Sequence, residues 1–133
     1  MARIDWALLC ESAFLDKQDR LCLIGIVRKL TPPTLPLTVP HLTLVARLAD
    51  IQPIDEVAIV VGMVTPSGLH AARIGSEQVV IELASEYILA ALHDVPLFEE
   101  GAHRFQIQLR GQPVVSVGIP VLARAEHATA PLH

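Results

Sequence analysis

A chain of 133 residues is long enough to bury one continuous core and short for two domains of ordinary size. Its formal charge of −4 and pI of about 5.8 oppose the non-specific attraction to phosphate backbones or anionic lipid that a basic chain would have, so neither nucleic acid nor a membrane is an expected partner. With 52% hydrophobic, 18% charged and 4% aromatic residues, the core must be aliphatic, and more aliphatic surface is available than one small domain hides; self-association is the simplest cover for it.

The opening Met1-Ala2-Arg3-Ile4-Asp5-Trp6 carries an acid where an export signal would have its apolar stretch, and Glu11 and Asp16 interrupt the apolar residues beyond Trp6. The longest apolar run, residues 57–64 with Gly62 inside it, is far below the roughly 20 residues that a membrane-spanning helix needs. A cytoplasmic location is the resulting expectation. Residues 4–15 and 21–30 read as a hairpin across the polar tip 16–20. Simple alternation puts Ile4, Trp6, Leu8, Cys10 and Phe14 on one face of the outgoing strand. Asp5, Ala7, Leu9, Glu11, Ala13 and Leu15 fall on the other, a mixed face expected to be partly covered. Ala7, Leu9 and Ala13 at its centre are the candidate self-interface. The return, residues 21–27, is apolar on both faces and reads as a strand in the middle of a sheet.

Prolines at 32, 33, 36 and 40 cannot donate ladder hydrogen bonds, so residues 31–36 are drawn as an extended crossover between sheets. Strands are expected next at 41–48 and 56–64, separated by the turn-rich stretch 50–55. Thr65-Pro66-Ser67-Gly68 then makes a tight turn into a strand at 69–74. Residues 79–95 carry two periods at once: Val79, Ile81 and Leu83 fit a strand, whereas Ala84, Tyr87, Ile88, Ala91, Leu92 and Val95 fit a helix. Two strands are preferred, with a helix over about residues 85–93, N-capped by Ser85, as the alternative. Pro96 and Gly101 bracket a loop. Residues 104–109 are the clearest strand, with Phe105, Ile107 and Leu109 on one face and Arg104, Gln106, Gln108 and Arg110 on the other. A turn at 110–113 leads to a last strand at 114–123, and 124–133 reads as a flexible C-terminal tail. The sum is an all-β, single-domain antiparallel β-sandwich over residues 1–123 with eight or nine strands. A small β-barrel, or a sandwich with one short helix near 85–93, is the runner-up.

Residues that carry chemistry are few and scattered. In the hairpin register Cys10 faces about Ile26 and Cys22 about Phe14, an offset of roughly 13 Å along the strands, where a disulfide needs Cα atoms within about 7 Å. Two buried free thiols are expected, in keeping with a reducing compartment. Of six histidines, no two stand at a spacing that one helix or hairpin would turn into a ligand pair. The densest polar group is His93, Asp94, Glu99, Glu100 and His103 around one loop, the weak candidates for a cation site; solvated loop residues are the plainer reading, and no metal is expected. Asp16 with Asp19 and Asp50 with Asp55 supply too few carboxylates for a calcium loop, and no nucleophile elbow, phosphate-binding glycine loop or dinucleotide fingerprint is present. No catalytic residue and no cofactor are expected.

The opening Ala2-Arg3-Ile4-Asp5-Trp6-Ala7-Leu8-Leu9-Cys10-Glu11, the return Arg20-Leu21-Cys22-Leu23-Ile24-Gly25-Ile26 and the late Val95-Pro96-Leu97-Phe98-Glu99-Glu100-Gly101-Ala102-His103-Arg104-Phe105 resemble an uncharacterised bacterial family of short β-sandwich proteins, a domain of unknown function. The resemblance runs to about Ala123 and is most specific in the N-terminal hairpin. It departs at His103, where such families carry an aromatic after the loop glycine. It implies a fold and brings no activity with it. The expected function is therefore a non-enzymatic, oligomeric interaction or scaffold module that binds itself or another protein. The alternative is a small-ligand or carbohydrate-binding sandwich using its end loops.

Overall fold

The computed structural model describes residues 2–51, 58–68 and 79–124. Their strands are β1 (Arg3–Leu15), β2 (Leu21–Ile26), β3 (Leu37–Ala49), β4 (Ile59–Val64), β5 (Val79–Ala84), β6 (Tyr87–Leu97), β7 (Gly101–Leu109) and β8 (Val115–Val121). They form a five-stranded sheet of order β2-β1-β3-β6-β5 and a three-stranded sheet of order β4-β7-β8, each pair antiparallel. The fold is thus an all-β, two-sheet sandwich. Among the described residues no helix is long and apolar enough to cross a membrane. The expected strand at 69–74 and most of the tail lie outside the described residues, as do residues 52–57 of the expected turn and strand.

The clean alternation in β7 does what it should: Phe105, Ile107 and Leu109 are buried, and Arg104 and Arg110 are exposed. With Met63 of β4 and Ile119 and Val121 of β8 they meet Leu9 of β1, Leu42, Leu44, Ala46 and Leu48 of β3, and Ile88, Ala90 and Leu92 of β6 in one aliphatic layer between the sheets. A second cluster, Cys10, Val45 and Leu89 with Trp6, Leu8 and Tyr87 against it, draws only on strands of the five-stranded sheet and lies on that sheet's outer face.

The long strands keep their apolar side inward by changing face. A bulge between Ile4 and Trp6 returns Ile4 to the inner side with Ala7 and Leu9, leaving Trp6, Leu8 and Cys10 outside. Alternation through residues 4–14 therefore grouped Ile4 wrongly, and Phe14 as well, since Ala13 takes the Cys10 side beyond the next break. A second break falls where Glu11 and Gly25 drop out of the β1–β2 ladder; Gly25 is left-handed at φ 65, and Ala13 and Leu23 join the outer cluster beyond it. A third falls at Pro40 and Asp94, which drop out of the otherwise continuous β3–β6 ladder. Asp94 has φ 52, and the inward residues change from Leu92 to Val95 on β6 and from Leu42 to Val39 on β3.

These breaks account for the helical spacing of residues 84–95. The step from Ala84 to Tyr87 is a two-residue hairpin turn with Ser85 at φ 57, and the step from Leu92 to Val95 is the Asp94 break. Two strands, not a helix, occupy the segment. Ladder pairing extends β6 through Pro96 to Leu97 and starts β7 at Gly101, so the expected loop shrinks to residues 98–100. Pro40 sits inside β3, which starts at Leu37, four residues ahead of the expected strand.

Two further expectations change. β2 is an edge strand, not a central one, with Ile24 and Ile26 about half exposed (51% and 54%). The proline-rich segment leaves β2 and returns to the same sheet at β3. On the way it straps the other sheet: Leu30 bridges Val121 of β8, with bonds from Leu30 N–H to Pro120 and from Leu122 N–H to Leu30, and Arg124 N–H bonds Pro32.

At Gly25 a Cβ would stand 2.7 Å from Cδ of Glu11. Gly25→Ala should lower stability by about 1–2 kcal/mol through left-handed backbone strain, and somewhat more as Glu11 is displaced. A fall in the urea midpoint with an unchanged slope is the expected reading; an unaltered midpoint would remove the break at Gly25 as a structural requirement.

Candidate functional site

The five loop residues that suggested a cation site are set to separate tasks. Glu99 reaches across to the turn at residues 65–68, where its Oε1 accepts the Ser67 N–H at 3.0 Å. Glu100 Oε1 accepts the Ala123 N–H at 3.1 Å and fixes the chain after β8. His103 faces inward, fully buried in register with Ile119, its Nδ1 donating to the Gly101 carbonyl at 3.1 Å and its Nε2 without a partner among the described residues. His93 lies on β6 opposite His41, and Asp94 is at the ladder break. Among the described residues no three His, Cys, Asp or Glu side chains converge as a metal-holding group.

The Glu99 contact is the one with an electrostatic signature. The Ser67 backbone bond first, and the Ser67 hydroxyl after it, hold the Glu99 carboxyl below the usual carboxylate range, against a small opposing desolvation. A carboxyl whose folded value is depressed contributes stability above its unfolded pKa and loses it as pH falls through the folded value. The acid-side fall in the urea midpoint should therefore be shallower in Glu99→Gln than in the natural chain, with the two curves meeting at low pH. Parallel curves would mean that the Ser67 contact does not stabilise the fold.

The candidate interface residues do not form one open face. Leu9 is fully buried in the intersheet layer, Ala7 packs against that layer, and Ala13 packs against the outer cluster on the other side of the strand. The Glu11–Gly25 break lies between Leu9 and Ala13 and puts Ala13 on the opposite side from Ala7 and Leu9. A charge at Leu9 would sit inside the sandwich and act on folding first.

The cysteines follow the expected register, Cys10 opposite Ile26 and Cys22 opposite Phe14, and both are free thiols. Burial raises the Cys10 pKa and its thiol donates to the Ser12 carbonyl at 3.3 Å, so it is a poor nucleophile. Trp6 and Tyr87, the residues a sugar site would use, lie on a sheet face beside one another, ring centres 6.1 Å apart, in register with Arg47 between them.

What the arrangement does offer is a surface at β2. Phe14, Cys22 and Ile24 share one face of the hairpin, and Phe14 and Ile24 are exposed. Among the described residues no strand pairs with the outer edge of β2. Beside it, where the chain turns toward β8, an open groove of about 410 Å³ is lined by Glu11, Ile26, Arg28, Lys29 and Thr31. Sequence reasoning missed this surface because apolarity on both faces is shared by central strands and sticky edges. The available signal was the order of elements: a short strand between a tight turn and a proline-rich strap has little opportunity for a second neighbour.

No curated protein and no solved structure matches the chain. A family model does, across residues 5–122, which takes in the bulged first strand, the β2 edge, the strap and both sheets through β8. The chain belongs to DUF6941, a family of unknown function.

Proposed function

We propose that this domain is a non-enzymatic interaction module that self-associates, with the β2 edge as the contact and a second copy of the chain as its partner. One observation carries the reading: Leu21–Ile26 is an edge strand without a charge or a proline, the devices by which edges are kept from pairing. Its two isoleucines are half exposed. An edge of this kind is self-complementary, because antiparallel addition of the same strand satisfies the open N–H and C=O groups of both copies and covers apolar side chains on both. β5, at the other end of the sheet among the described residues, exposes Val80, Ile81 and Leu83 but carries the charge of Glu82 within its span. The Arg28–Lys29 groove continues the β2 surface and adds a polar rim, the usual composition at the margin of an interface.

Light scattering across a tenfold or greater dilution should give a mass above that of one chain at micromolar concentration. Ile24→Lys, a charge on an already exposed edge position, should reduce the mass to a monomer while the chain keeps its β circular dichroism and, at a concentration where both chains are monomeric, an unfolding free energy from urea within about 0.5 kcal/mol of the natural chain's. A monomeric natural chain, or a folded variant whose mass does not change, would overturn the reading.

A further inference from the structure

His41 and His93 stand 5.3 Å apart between ring centres, with planes inclined at 40°, on two strands that no local spacing connects. They are direct cross-strand partners on β3 and β6 and form the last regular pair before Pro40 and Asp94 interrupt the ladder. Their side shares its parity with Thr43 and Val45, the outer face of the five-stranded sheet, away from the intersheet layer. His41 is exposed and His93 half-buried. The Thr43 hydroxyl lies 3.4 Å from His41 Nε2.

We propose that His41 and His93 form a two-imidazole chelate for a divalent late transition-metal ion, with water in the remaining positions. Metal–nitrogen bonds of about 2.0–2.1 Å, with roughly 1.1 Å more to each ring centre, put two imidazoles on one tetrahedral ion about 5 Å apart between centres. The observed spacing of ring centres matches this. A hydroxyl on one nitrogen of His41 orients that ring and leaves the other nitrogen to coordinate, the arrangement that outer partners give to ligating histidines. Donors that are all imidazole favour nickel, copper and zinc over magnesium and calcium, which require oxygen. Because no third His, Cys, Asp or Glu joins the pair among the described residues, the ion is exchangeable and open to solvent.

Such an ion ties β3 to β6, the pair whose ladder runs from Leu37↔Leu97 to Arg47↔Tyr87. The two rings meet only in the folded chain, so metal binding must raise the unfolding temperature. Histidines distant from this pair would bind in folded and unfolded chains alike and give no such rise. Thermal unfolding of the full chain should therefore shift upward with increasing Ni²⁺ or Zn²⁺, return on adding a chelator, and stay fixed with Mg²⁺. The shift should vanish in His41→Gln and in His93→Gln, and calorimetric titration with Ni²⁺ should weaken at least about tenfold in each. His41 is exposed, so its variant is decisive even if His93→Gln folds poorly. No shift in the natural chain, or an equal shift in His41→Gln, would overturn the site.

Discussion

The rest of the structure depends on keeping one apolar layer continuous between two sheets of unequal width and strand length. β1 and β3 each run 13 residues and β6 runs 11, whereas β4 and β8 are 6 and 7 residues long. A long twisted strand cannot hold a strict two-residue alternation against a smaller partner sheet without turning its apolar side away from the core. The breaks at Ile4/Trp6, Glu11/Gly25 and Pro40/Asp94 each reset the face, and the last two use residues that do so at low cost: a glycine at left-handed φ in one, an aspartate at left-handed φ and a proline that donates no ladder hydrogen bond in the other. Core members Val39, Leu42, Leu92 and Val95 remain on the same layer because the two strands break together.

Those resets mark the boundary of what was legible in the sequence. β7 has none, and its alternation gave the core residues directly. The N-terminal hairpin was legible in its tip and its register, because the polar tip fixes both: Asp16 accepts the Gln18 and Arg20 N–H groups at 2.8 and 2.9 Å and holds the Arg20 side chain; its return arm was not, since β2 stops at Ile26, short of the expected Leu30. The faces of β1 were not, since a bulge is one extra residue without a composition of its own. In residues 79–95 a turn and a break, each displacing the pattern by one, together imitate a 3.6-residue period. The candidate site was less legible still. The edge position of β2 is a property of sheet order, and the His41–His93 contact is a property of β3–β6 register; neither leaves a local spacing to read.

Sheet order also decides which apolar residues are available to a partner. Leu9 and Ile24 are similar in kind and both belong to the same hairpin, but β1 is flanked by β2 and β3 and carries Leu9 beneath the small sheet, whereas β2 ends the sheet beyond it. The aliphatic excess of the composition thus divides: most of it fills the intersheet layer, and part of what remains is gathered at the β1–β2 tip. The strap from Leu30 to Pro32 covers one side of β8, so the small sheet is better closed at that edge than the large sheet is at β2.

The outer face of the five-stranded sheet has its own logic, distinct from that of the edge. Near the start of β6, Arg47 on β3 takes Asp5 at 2.7 Å and Glu86 at 2.9 Å, and the bond to Asp5 is the chief cause pushing its pKa up. Trp6 and Tyr87 flank its position in the two neighbouring strands. One guanidinium thus bridges two carboxylates, with the aromatic bodies beside it. As part-exposed pairs these bridges add little stability, but they fix which strand ends adjoin, since Asp5 precedes the β1 bulge position Trp6 and Glu86 occupies the β5–β6 turn. At the far end of the same strands the outward positions pass to His41 and His93, donors suited to an ion rather than to a carboxylate network. A sheet whose inner side is uniformly aliphatic therefore carries along its outer side an ionic end and an imidazole end, while exposed apolar side chains stand on both of its terminal strands, Ile24 and Ile26 on β2 and Val80, Ile81 and Leu83 on β5.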